Sequence, residues 1–167
     1  MRLVAAFVVA LLLQVGLTAS HLWWALAACQ PLLLVVVAAA RRLDPTRVAW
    51  YGLAAGLASD AFAGRIIGLG GIAGAVAGYV VAVVVRRFEM EGPLYWIVGS
   101  LLAATCTELT WMLAAATLGA RPDHGLSGVL ATVAMTGAAG LAVAAAERAL
   151  RAWQSPTRHR RRVLRRL

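Results

Sequence analysis

The sequence predicts an all-α integral membrane protein, a bundle of six transmembrane helices, and three observations carry that prediction. Apolar residues make up 62% of the 167-residue chain and charged residues only 14%, with a mean hydropathy of +0.79, outside the range of ordinary soluble domains. Runs of Leu, Val and Ala reach the roughly 20 residues that an α-helix needs to cross about 30 Å of hydrocarbon, and the alternating pattern of barrel strands is absent. The third observation is the placement of charge. All 16 basic residues are Arg, and Arg2, Arg41, Arg42, Arg47, Arg86, Arg87 and those from Arg148 onward fall at alternate ends of successive apolar runs. Only Arg65 and Arg121 fall on the other side, so the positive-inside rule puts both termini in the cytoplasm.

The expected spans cover residues 3–19, 22–40, 47–63, 66–85, 94–118 and 127–147, within a membrane domain of residues 1–150 followed by a basic cytoplasmic tail, 151–167. Residues 1–13 followed by Thr18, Ala19 and Ser20 look like a cleavable signal peptide. A retained first helix nevertheless makes the arginine pattern regular, and retention is the expectation. Pro31 interrupts the second span, as a kink or as a fresh helix start with Pro in its first turn, after an interfacial Trp23-Trp24 pair. Asp44-Pro45 forms the next turn and a candidate cap for the third helix. One uninterrupted helix from Arg47 to Val85 would be far longer than a bilayer is thick. Residues 64–71, rich in glycine, must therefore break it in a tight outer hairpin or a partly re-entrant turn. Tyr95 and Trp96 anchor the start of the fifth span at the interface, and the sixth is again rich in Gly and Ala.

The most informative pattern lies around that break. Gly52, Gly56, Asp60, Gly64 and Gly68 recur every four residues, which stacks them on one helical face where absent side chains let another backbone approach. Gly70, Gly74 and Gly78 extend the small-residue theme. Asp60, thirteen residues from Arg47, and Glu108, fourteen from Leu94, should lie at similar depth in the outer half of the bilayer, each about 20 Å along its helix. Arg65 is the nearby cation, so an ion pair of Asp60 or Glu108 with Arg65 would relieve the cost of a buried carboxylate.

Two readings of Asp60 stand side by side: a functional acid facing protein or trapped water, or a helix-end residue that bonds the free amides of residues 64–71. Glu108 either faces a partner or cavity, or hydrogen-bonds Thr105, Thr107 or Trp111 on neighbouring turns.

No nucleophile motif, metal cluster or phosphate loop appears in the sequence, and two acids alone make a poor active site, so no enzyme, metal or cofactor is expected. Gly68, Gly70 and Gly71 look superficially like a nucleotide loop, but no Lys is near and helix packing explains them better. Cys29 and Cys106 read as buried small hydrophobes and His21 and His124 as solvated loop residues. The tail arginines, including Arg158, Arg160, Arg161, Arg162, Arg165 and Arg166, would be drawn to anionic lipid, with a cytoplasmic protein partner as the sharper reading; their placement argues against nucleic acid.

Gly56-x-x-x-Asp60-x-x-x-Gly64-x-x-x-Gly68 resembles the signature of the bacterial rod shape-determining protein MreD family. The likeness extends to size, short loops, Gln14 late in the first span and the Gln30-Pro31 run in the second; Leu32 departs from it, where relatives often carry an acid. The resemblance implies a non-enzymatic scaffold of the cell-elongation complex that binds MreC and helps organise peptidoglycan synthesis. The MreB cytoskeleton, a SEDS glycosyltransferase and a class B penicillin-binding protein belong to the same assembly. It also implies a fold similar to the six-helix substrate-binding components of energy-coupling-factor vitamin transporters, and such a component is the alternative function. Ala6-x-x-x-Ala10 resembles the contact by which those components dock on their transporter.

Overall fold

A computed structural model describes residues 2–19, 30–63, 68–119 and 125–154, and all regular structure among them is helical. Among the described residues six helices follow one another: α1 (Arg2–Ala19), α2 (Pro31–Ala40), α3 (Pro45–Ala63), α4 (Leu69–Arg87), α5 (Gly92–Thr117) and α6 (Leu126–Gln154). Among the described residues α4, α5 and α6 are each long and apolar enough to cross a membrane. The sixth helix runs to Gln154, so it carries the helical backbone into the first residues of the basic tail.

The ten residues of α2, PLLLVVVAAA, have no polar face, and a helix apolar all round must be buried all round. It is the central pillar. Every other helix touches it, and Leu32, Leu33, Val35, Val36, Val37, Ala39 and Ala40 are buried. Pro31 takes the fresh-start alternative: it opens the helix, where its missing amide costs nothing, with Gln30 as the residue before it. Around this pillar α3, α4, α5 and α6 pack in sequence, the most extensive interface being α3 with α4, while α1 rests on α2 and α3. The outward faces are apolar, as Val9, Leu12, Leu13, Ile72, Leu113 and Leu130 show, which is the surface expected where lipid replaces water.

Helix direction alternates along the chain. Arg41 at the end of α2, Arg86 at the end of α4, Trp96 at the start of α5 and Glu147 late in α6 lie at one end of the bundle. Gln14 late in α1, Gln30, Asp60, Gly70 and Glu108 gather toward the other. The α3–α4 break falls where glycine density required it, with Gly68 preceding α4 at φ +115°, a conformation that side chains rarely adopt.

Candidate functional site

The site is built on the α3–α4 hairpin. A Cβ on Gly52 would overlap the Gly74 carbonyl, one on Gly56 the Gly70 carbonyl, and one on Gly74 the Gly52 carbonyl. One step further along, a Cβ on Gly78 would lie 2.8 Å from the Val48 carbonyl oxygen. Glycines spaced by four on both helices thus mesh in antiparallel register, and the backbones touch where ordinary side chains would hold them apart. Gly56, Gly70, Gly74 and Gly78, expected on a partner-facing or packing surface, make their close approach inside the chain.

Asp60 closes this ladder. It is 3% exposed, and its Oδ2 accepts the backbone N–H of Gly68 at 3.0 Å and of Gly70 at 2.8 Å. The first amides of a helix lack intrahelical partners, and Gly68 has no side chain to cap them. The previous helix therefore supplies the acceptor. Two amide donors and the positive end of the α4 dipole compensate the carboxylate where α3 meets α4. A Cβ on Gly70 would collide with the Asp60 carboxylate, so glycine is needed both for the ladder and for the cap. Of the two readings of Asp60, the geometry among the described residues realises the helix-end one. Gly64 and Arg65 lie outside the described residues, as do Cys29, His21, His124, Trp23, Trp24, Arg121 and the tail arginines Arg158, Arg160, Arg161, Arg162, Arg165 and Arg166.

Asp60 also lines a cavity of about 40 Å³ that collects residues from five helices: Gln14 of α1, Gln30 before α2, Ser59 of α3, Gly70 of α4, and Thr107, Glu108 and Trp111 of α5. The shared depth of Asp60 and Glu108 is realised here, since both acids border one space. Glu108 Oε1 accepts the Gln30 Nε2–H at a long 3.4 Å. Instead of capping its own helix, Gln30 turns its amide across to α5. The hydroxyls of Thr105 and Thr107 donate to Leu101 O and Ala103 O, both at 2.8 Å, so these threonines bond back to their own helix rather than to Glu108. Cys106, expected to be buried, is only half-buried.

Comparison with protein-family models, curated proteins and solved structures gave no match.

At the opposite end the chain carries a second polar cluster that the sequence reading passed over. Glu147 accepts the Trp96 indole N–H at 2.6 Å, pairs with Arg41 at 3.2 Å and binds Arg151 one turn further on. Arg41 in turn lies 4.7 Å over the Tyr95 ring. The Tyr95 hydroxyl donates to the Val37 carbonyl, in the last turn of α2, where carbonyls lack helical partners. Arg86 donates to Leu43 O at 2.6 Å and Asp44 Oδ1 at 3.2 Å. Asp44, offered as a cap for α3, thus puts its carboxylate on Arg86, while its carbonyl accepts the Val48 amide. The signal for this cluster was an acid at the end of an apolar run, followed by arginines. Two of its partners, Arg41 and Trp96, are 106 and 51 residues away and invisible to local spacing.

The described residues contain no group of three or more His, Cys, Asp or Glu side chains able to hold a metal ion. What the cavity offers instead is hydrogen bonding: two carboxyls, two carboxamides, two hydroxyls and an indole around a space of water dimensions.

Proposed function

We propose that the chain is a non-enzymatic scaffold of a bacterial cytoplasmic membrane, similar to MreD proteins. In this reading six helices span the bilayer, both termini face the cytoplasm, and the protein binds an MreC-like membrane protein in the machinery of peptidoglycan synthesis and cell shape. A SEDS glycosyltransferase and a class B penicillin-binding protein are further candidates for contact, with anionic lipid at the basic tail. The observation that carries the proposal is the meshed α3–α4 hairpin with Asp60 bonded to the Gly68 and Gly70 amides. In this reading Gly56, Asp60 and Gly68, three of the residues that bear the MreD resemblance, act together as a rigid element rather than as a reactive one. The collected arginine end supports the orientation, with Trp50 and Trp153 exposed near it as interfacial aromatics.

Because the glycine ladder is occupied within the chain, an MreC-like partner would meet an outward surface whose shape the hairpin holds. Co-purification with that partner from membranes tests the proposal. Gly56→Leu should abolish it by forcing the hairpin open, while Leu113→Ala on the exposed α5 face should leave it intact; retention by Gly56→Leu in a folded protein would refute the reading.

The alternative, a substrate-binding component of a vitamin transporter, has the same helix number and the paired acids in its favour. A cavity of about 40 Å³ is small against the roughly 300–1,000 Å³ of small-molecule sites. Native mass spectrometry separates the two: a vitamin-sized adduct would select the transporter reading.

A further inference from the structure

We propose that the cavity bordered by Asp60 and Glu108 is an internal hydration site, holding one or a few water molecules that join the polar groups of five helices. Its volume of about 40 Å³ exceeds the roughly 10–15 Å³ that one water requires. Its wall meets the second requirement for a buried water, two to four polar partners. Ser59, Asp60, Thr107, Glu108, Gln14 and Gln30, all with polar side chains, line it. Apolar cavities of this size stay dry, whereas polar ones do not.

The bond from Gln30 to Glu108, at 3.4 Å, is long for a side-chain hydrogen bond, a separation at which a bridging water can stand beside the direct contact. The consequence is mechanical. Water here links α1 and α2 to the Asp60-capped hairpin and to α5, so helices that share few side-chain bonds are coupled through the solvent they enclose. The inference is independent of partner choice, since a scaffold and a transporter component would both hold this water.

Water-edited solid-state NMR on the isotope-labelled full chain in lipid bilayers tests it. Magnetisation starting on water should reach the Asp60 and Glu108 carboxyl carbons nearly as fast as that of exposed Glu91. Ser59→Val, which fills the cavity from the α3 wall, should slow transfer to both severalfold and leave Glu91 unchanged. Unaltered Tyr95 and Gly140 shifts would show that the variant is folded, and Ala55→Val on the same wall repeats the test should it not be. Wild-type carboxyls that receive magnetisation only from acyl chains would overturn the proposal. So would transfer undiminished by filling, because the water would then arrive from outside the cavity.

Discussion

Asp60 on α3 accepts the amide of Gly70 on α4 at 2.8 Å, so the acid that interrupts the glycine ladder is also the residue that starts the next helix. The first amides of a helix have no intrahelical acceptor. Placing the acceptor on the preceding helix solves this and fixes how far α4 can slide along α3.

The first prediction follows from that bond. Asp60→Leu leaves the Gly68 and Gly70 amides without their acceptor and should destabilise the protein by about 2–4 kcal/mol, from the usual cost of unsatisfied buried groups. Asp60→Asn keeps a carbonyl acceptor but loses the charge, and should cost about 1 kcal/mol. Reversible unfolding in mixed micelles measures both. Equal losses for the two variants would mean that charge, rather than capping, is what the fold requires.

Glycine positions can be ranked by what a methyl group would meet. Gly56→Ala and Gly74→Ala drive a Cβ into the facing backbone, which cannot yield locally, and should each cost at least about 2–3 kcal/mol. Gly71→Ala meets the Leu57 side chain at 2.8 Å, which can change rotamer, so its loss should be smaller. Gly16→Ala meets nothing within 4 Å and should be neutral or stabilising by about 0.5–1 kcal/mol through helix propensity. Thermal melts of the four variants in one detergent supply the order.

Glu147 holds α6 to α2 and α5 through Arg41 and Trp96. Glu147→Gln retains an acceptor for the indole and should cost about 1 kcal/mol; Glu147→Leu leaves Arg41 without its counter-charge and should cost about 2–3 kcal/mol. The Arg41 and Glu147 side chains are each 29% exposed, so solvent screening limits the pair itself. A double-mutant cycle between Arg41 and Glu147 should therefore return a coupling of no more than about 1 kcal/mol, and raising the salt concentration should shrink it.

The local devices of this fold were legible in the sequence. Pro31 could only be a kink or a start, the glycines of residues 64–71 could only be a break, and counting along two helices placed Asp60 and Glu108 at one depth. The four-residue ladder announced close packing but not its partner, because spacing shows which residues share a face and not what that face meets. Gln14 and Gln30 were visible as residues, yet their convergence on Glu108 depends on long-range helix placement. Glu147 was harder still. An acid at the end of an apolar run among arginines reads as ordinary interfacial charge, and only the folded chain brings Arg41, 106 positions away, to its carboxylate.

Tyr95 gives the last test, because one side chain there makes three separable contacts. Its hydroxyl donates to the Val37 carbonyl, its face carries Arg41 at 4.7 Å, and its ring meets Trp96 edge-on at 5.4 Å. Tyr95→Phe deletes only the hydroxyl and leaves the Val37 carbonyl, in the last turn of α2, short of a donor; the expected loss is about 1–2 kcal/mol. Tyr95→Leu deletes the ring contacts as well and should cost a further 1–3 kcal/mol or so. Because α2 touches every other helix, its last turn transmits the damage widely. Hydrogen exchange should then rise at Val37–Ala40 in Tyr95→Phe before it rises in α3 or α4, and a uniform rise across all helices would show that this bond does not act locally on the pillar.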